Sequence, residues 1–166
     1  MKVHQLNQEH YKALFDFETR NKEWFELFVP PRPRAYQTLV GFSCASDALL
    51  REQDSGASYF YVGYLGDTII ARANLTELSN GVGSIGYRVC RNQTGKGYGS
   101  AALNYLIDVA KHKLGLKELN AKTTTNNIAS MKVLEKQGFS ETVRETNTFN
   151  MNGEEVSFVH YVKHLE

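Results

Sequence analysis

This chain holds little cysteine, little proline, almost no net charge and no long apolar run, and each shortage closes a door. Cys44 and Cys90 are its only cysteines, too few for a disulfide framework and rarely enough for structural zinc. Cys44 falls in a helical stretch and Cys90 at a strand end, so both are expected as small buried hydrophobes, and no metal is expected. The 3 prolines stand together in Pro30-Pro31-Arg32-Pro33, and repeats, low-complexity tracts and long charge runs are absent. With 19 basic against 18 acidic side chains the formal net charge is +1. A dedicated nucleic-acid binder would show a basic excess, so only a local basic patch stays compatible. No apolar stretch reaches the length that spans a bilayer. Met1-Lys2-Val3-His4-Gln5 lacks the apolar core of a signal peptide. The expectation is a cytoplasmic protein, monomer or homodimer, with no direct nucleic-acid or membrane partner.

What is present suits an ordinary globular fold. A chain of 166 residues, 42% hydrophobic and 22% charged, suffices for a single domain over 1–166 with a real core. A short strand is expected at Lys2 to Leu6. Asn7 reads as an N-cap for a helix from Gln8 to about Thr19, with Tyr11, Leu14, Phe15 and Phe17 on its apolar faces. The aromatic run Trp24 to Val29 stops at the prolines. A second helix is expected from Tyr36 to Glu52, with Leu39, Phe42, Ala45 and Leu49 at helical spacing.

The period then changes. Ala57 to Tyr64, Thr68 to Leu78 and Val82 to Cys90 are rich in β-formers and separated by Leu65-Gly66-Asp67 and Ser79-Asn80-Gly81, which predicts a three-stranded antiparallel meander. Helical periodicity returns from Gly97 to Leu114, a strand follows at Glu118 to Thr124, and a helix runs from Asn127 to Gln137, closed by Gly138. Phe139 to Asn150, the turn Met151-Asn152-Gly153, and Glu154 to Val162 read as a terminal hairpin. A helix between two strands permits one parallel pair in a mostly antiparallel sheet, so the class is mixed α/β.

The sharpest motif is Gln93-Thr94-Gly95-Lys96-Gly97-Tyr98-Gly99-Ser100, between a strand and a long helix. The first N–H groups of a helix have no partner within it, and the helix dipole adds partial positive charge there. Glycine lets that backbone approach phosphate oxygens closely, so the position suits a pyrophosphate. A Walker A loop fails, because Cys90 stands at its first glycine and Gly97 at its Ser or Thr. A dinucleotide fingerprint fails as well: Ser100 occupies its third glycine, and the preceding strand closes a meander. A flexible glycine loop without a ligand is the alternative on this motif alone.

Asn127-Ile128-Ala129-Ser130-Met131-Lys132-Val133-Leu134-Glu135-Lys136-Gln137-Gly138-Phe139 is, in isolation, an ordinary capped helix. Together with the glycine run, at this spacing, it resembles the GNAT superfamily of N-acetyltransferases. In that family Q/R-x-x-G-x-G/A opens the helix that holds the coenzyme A pyrophosphate; Gly97 and Gly99 match, and Thr94 occupies the Gln/Arg position. The family's N-x-x-S/A-x-x-x-Y/L-x-K-x-G-F is matched by Asn127, Ser130, Leu134, Lys136, Gly138 and Phe139. Asn21-Lys22-x-Trp24-Phe25, the following prolines, Ile85-Gly86-Tyr87 and the Asn-Gly hairpin resemble the branch that acetylates ribosomal-protein N-termini (RimJ/RimL-like).

The resemblance implies an acetyl-coenzyme A-dependent transferase in which a neutral amine attacks the thioester directly, on a sheet that splays beside the strand ending Arg88-Val89-Cys90. It implies that a backbone N–H near Val89 polarises the thioester carbonyl. Thr94 to Ser100 would hold the pyrophosphate, with Asn127 at the cofactor and Lys96 and Arg91 as candidates for further phosphate contacts. Ser130 would stabilise the departing thiolate, with Tyr87 lining the site. Many relatives carry a carboxylate where this chain has Ser84, which leaves Glu77 as the nearest acidic candidate for the base. Trp24, Phe25 and Phe28 would build the acceptor side. An α-amino group, with a reference pKa of about 7.7–8.0, needs far less help from a base than a lysine near 10.4. A protein N-terminus is therefore the leading acceptor; a small-molecule amine, and a module that binds acetyl-coenzyme A without turnover, are the alternatives.

Overall fold

The computed structural model describes residues 1–166. Its centre is a seven-stranded sheet built from β1 (Lys2–Gln5), β2 (Tyr59–Leu65), β3 (Thr68–Ser79), β4 (Val82–Val89), β5 (Glu118–Thr124), β6 (Ser140–Arg144) and a late strand, β9 (Phe158–His164). The spatial order is β1-β2-β3-β4-β5-β9-β6. Every pairing is antiparallel except β4 with β5. Short β7 (Phe149–Met151) and β8 (Glu154–Val156) form a separate two-stranded sheet. The turns fall where their chemistry requires: Asn80 and Gly81, and Asn152 and Gly153, all have positive φ, as a tight hairpin turn demands.

Helices cover both faces. On one lie α1 (Tyr11–Arg20), the single turn α2 (Lys22–Phe25) and α3 (Leu39–Asp54), whose Leu14, Phe17, Phe25 and Phe42 pack with Phe60, Val62 and Ile70 of the sheet. On the other lie α4 (Tyr98–Asp108) and α5 (Ile128–Lys136), where Leu103, Leu106 and Leu134 close over Leu75, Ile85, Leu119 and Tyr161. Burial of two such clusters is the main favourable term in folding.

One feature of the sheet positions the site. The parallel ladder joins Val82–Ile85 to Glu118–Ala121 and ends there. Beyond it β4 still pairs with β3 through Val89, while β5 pairs with β9 through Thr124. The two strands therefore splay, and Gly86 to Val89 present an edge with no strand beside it.

The structure departs from the sequence reading in several places. Cys90 is buried, but Cys44 is exposed on α3, because the core-facing side of that helix is carried by Phe42 and Ser46. The second helix starts at Leu39, capped by the Thr38 hydroxyl on the Gly41 N–H, and Tyr36 belongs to a separate 3₁₀ turn. The first helix opens as a 3₁₀ turn at Gln8–His10 under a capping box from Asn7, and the long helix after the glycine run ends in a π turn at Val109–Lys113. The expected terminal hairpin forms with a break in its ladder: β6 pairs with β9 and β7 with β8 about the Asn152-Gly153 turn, and β9 lies between β5 and β6. On its other edge β9 pairs with β5, and its Val159 and Tyr161 are buried in the core.

Candidate functional site

The glycine run lies where β4 leaves the sheet and α4 begins. A 3₁₀ turn at Arg91–Gln93 reverses the chain, anchored by the Arg91 N–H, which donates to Asn21 Oδ1 at 2.9 Å. Gly97 is the N-cap of α4 with φ 87°, and a Cβ there would meet nothing within 4 Å. Its glycine thus serves the left-handed turn and keeps the space in front of the helix clear. Gly99 differs: its φ is ordinary, and a Cβ would stand 3.3 Å from Tyr87 Cε2. That position is small because the tyrosine ring lies over it.

None of the backbone N–H groups from Gly95 through Ser100 donates a hydrogen bond within the protein. They sit at the start of an eleven-residue helix, where the dipole favours an anion. Thr94 is different. Its N–H and its hydroxyl both donate to the Arg91 carbonyl, at 3.3 and 2.9 Å, so the family's Gln/Arg position is used here to close the turn. Lys96 Nζ donates to Gln93 Oε1 at 3.2 Å and is exposed. Arg91 stacks over Trp24 with its guanidinium carbon 5.5 Å from the ring centre.

The open edge of β4 continues the site. The Cys90 N–H donates to the Ile70 carbonyl on β3. Peptide groups alternate direction along a strand, so the Val89 N–H faces away from β3, into the splay. Tyr87 and Ser130 come together from the two sides of that opening. Ser130 is set by α5, whose N-cap Asn127 accepts the Ser130 N–H on Oδ1 at 3.1 Å; the Asn127 oxygen is thereby engaged and its amide NH₂ remains. Burial pushes the Tyr87 phenol up, and the neighbouring Ser130 hydroxyl pulls it partly back. The Tyr87 oxygen is buried and lacks a hydrogen bond of good geometry, which leaves this pair able to serve a third group.

Glu77 is exposed on β3 in the left-handed region, at φ 55°. The register of β3 and β4 shifts between Thr76 and Ser79, and this irregularity turns the Glu77 carboxylate back to accept the Ser84 hydroxyl at 3.0 Å. A carboxylate on the neighbouring strand thus reaches Ser84.

The expected aromatic wall divides. Trp24 and Phe28 stack edge-to-face at 5.2 Å on the side of α2 toward the strand ends, between Arg91 after β4 and Asn126 after β5, whose Nδ2 donates to the Leu27 carbonyl at 2.9 Å. Asn152 of the β7–β8 turn donates to the Glu26 carbonyl at 2.8 Å, which places that small sheet against α2. Phe25 instead is buried and turns to the other side, lining a cavity of about 410 Å³ bounded by α1, the proline loop and Arg88. The sequence reading missed a cluster there. Glu18 accepts from Arg72 (2.8 Å), Arg88 (2.9 Å) and Arg32 (3.1 Å). Burial alone would raise the Glu18 carboxyl; the guanidinium groups of Arg72, Arg88 and Arg32 outweigh it and hold it low. The available signal was a charge inside each apolar strand, in Ile70-Ala71-Arg72-Ala73 and Tyr87-Arg88-Val89.

A helix start with free N–H groups beside a splayed strand pair has room and donors for an extended acyl-coenzyme A. The chain belongs to the GNAT acetyltransferase family: the model of the acetyltransferase (GNAT) domain matches residues 2–140. It is an N-acetyltransferase that draws its acyl group from acetyl-coenzyme A and delivers it to an amine. The probable N-acetyltransferase YjcK of Bacillus subtilis is 26% identical over 141 residues, 82% of this chain and 78% of that protein. Among solved structures, the ribosomal-protein-S5-alanine acetyltransferase of Vibrio fischeri superposes with a TM-score of 0.90 at 20% identity, over 99% of this chain and 92% of that one. Mycobacterium smegmatis RimJ, solved with a coenzyme A disulfide, gives 0.87 at 17% identity, over 98% and 80%. No helix is long and apolar enough to cross a membrane.

Proposed function

We propose that residues 1–166 form one acetyltransferase domain, working in the cytoplasm, that acetylates the α-amine of a protein N-terminus. The observation that carries the use of acetyl-coenzyme A at this site is the run of unpartnered N–H groups from Gly95 to Ser100 beside an open β4 edge. The run would hold the pyrophosphate, with the Asn127 amide and the Lys96 ammonium as further donors. The Val89 N–H polarises the thioester carbonyl as an oxyanion-type donor. The Ser130 hydroxyl, faced by Tyr87 and on a residue whose backbone N–H is held by Asn127, donates to the departing sulfur. Glu77, held on Ser84, takes the amine proton through water. Ser84 lies three residues before Tyr87, roughly 10 Å along the strand, which is too far for direct abstraction. An α-amine asks little of such a base, since its pKa of about 7.7–8.0 leaves a fair fraction neutral at pH 7. Trp24 and Phe28, at the strand ends, line the approach of the acceptor.

The cavity beside Phe25, open to solvent on one side, favours a second reading, in which the amine belongs to a small molecule. Release of free coenzyme A thiol, measured over a panel of peptide N-termini and small amines, separates the two. Turnover of peptides above small amines supports the first reading. The reverse ranking supports the second, and thiol release with neither leaves a module that binds without turnover.

A further inference from the structure

We infer that the acceptor carries a negative charge, a carboxylate or phosphate close to the reacting amine, and that Arg32 and Arg88 bind it. This rests on the reading of the chain as an N-acetyltransferase. Arg72, Arg88 and Arg32 converge on one carboxylate, Glu18. That leaves two positive charges uncompensated, at side chains that are 4%, 19% and 34% exposed. The other charges lining the cavity, Lys22 and Glu26, neutralise each other at 2.6 Å. Burying a guanidinium without a partner is costly. Burial depresses the Arg88 guanidinium to about 10, although Glu18 opposes the shift.

The donors are also in surplus. Each of the three guanidiniums donates to Glu18, while a guanidinium offers a whole fork of N–H groups suited to carboxylate or phosphate. Arg32 Nε is buried with no partner at all. Arg32 lies against the Tyr36 ring at 5.6 Å and Arg88 against Phe25 at 5.0 Å. Stacking of this kind uses the faces of the guanidiniums and leaves their donor edges free. The cavity these groups line, about 410 Å³, falls in the range of small-ligand sites. Arg88 ties it to the chemistry, because it stands on the open stretch of β4 between Tyr87 and Val89. An amine presented at the splay would therefore place a nearby acidic group within reach of the cluster.

The test is a matched set of acceptors with saturating acetyl-coenzyme A. Peptides beginning Ser-Asp, Ser-Asn and Ser-Lys form one arm, and glutamate against glutaminamide forms the other. The expected result is a kcat/KM about ten- to hundredfold higher for the acidic member, the range for a charge-assisted hydrogen bond. In Arg32→Gln that preference should collapse while acetyl-coenzyme A affinity holds. Arg32 is the member to change, because Arg72 and Arg88 still neutralise Glu18 in its absence. A preference confined to the peptide arm assigns the acid to a protein N-terminus, and one confined to the small amines assigns it to a metabolite. Equal rates for acidic and neutral members overturn the inference but leave the transferase reading standing. If none of these acceptors turns over, the α-amine reading fails, and titration of the Ser-Asp peptide decides: binding to wild type and not to Arg32→Gln sustains the anion site, and no binding overturns it.

Discussion

Arg72 donates to Glu18 across 2.8 Å, joining β3 to α1 by the most buried ion pair in the molecule. Glu18→Gln should therefore cost about 3–5 kcal/mol, the range for removing one partner of a buried pair, and should raise the unfolding rate more than it alters the fold. Glu18 has a depressed folded-state pKa, so its contribution is present above the ordinary glutamate value of 4.5 and is lost as pH falls through the folded value below it. Denaturant titrations of wild type and Glu18→Gln from neutral pH to the acid limb check both statements: the gap should be widest near neutrality and shrink below 4.5. A uniform gap at every pH would show that Glu18 contributes by packing alone.

Gly97 and Gly99 should fail differently. At Gly97, with φ 87°, an alanine must adopt a left-handed backbone at a cost of about 1–2 kcal/mol, or else turn the amides out of line. Gly97→Ala should weaken acetyl-coenzyme A binding in a protein that remains folded. Gly99→Ala presses on the Tyr87 ring and should lower kcat as well. Calorimetric titration beside steady-state kinetics separates the two, and unchanged affinity in folded Gly97→Ala would remove the pyrophosphate from the glycine run.

Ser130 and Tyr87 should act as a unit. Ser130→Ala should lower kcat and kcat/KM together, the pattern of an interaction made in the transition state. The loss should lie toward the low end of the roughly 10²–10⁴-fold range for general acid catalysis, since a serine hydroxyl is a weak acid. Tyr87→Phe should cost less, and the double variant should lose less than the product of the two. Strictly multiplicative losses would mean that the two hydroxyls serve separate purposes.

Glu77 holds a conformation that its side chain disfavours, at φ 55°, and such local strain is often tied to function. Glu77→Gly should leave stability equal or higher, by about 0.5–1 kcal/mol, while slowing turnover most at low pH, where less of the amine is neutral. Thermal unfolding beside a pH–rate profile measures both. A stable Glu77→Gly with a wild-type profile would end its role as the base.

Much of this was legible in the residues themselves. The turns at Asn80-Gly81 and Asn152-Gly153, the Asn7 and Asn127 caps and the glycine run are local chemistry, and local chemistry can be read from neighbours. The Glu18 cluster was not, because its partners are 54 and 70 positions away and a charge in an apolar strand does not name its partner. The irregularity that turns Glu77 onto Ser84 was hidden as well, since glutamate is not a residue that signals a left-handed backbone. The pairing of β9 with β5 was hidden too, because the Asn-Gly turn signals only the hairpin that joins β6 and β7 to β8 and β9.

Ligand-linked stability tests most directly whether Gly95 to Ser100 and the open edge of β4 take acetyl-coenzyme A. Only a ligand that binds the folded state stabilises it by mass action. Acetyl-coenzyme A at about 100 times its dissociation constant should add about 2.7 kcal/mol to unfolding, and ATP at the same concentration should add far less. Equal stabilisation by the two would contradict the account, because it would reduce the site to a phosphate cradle that ignores the acyl-pantetheine arm.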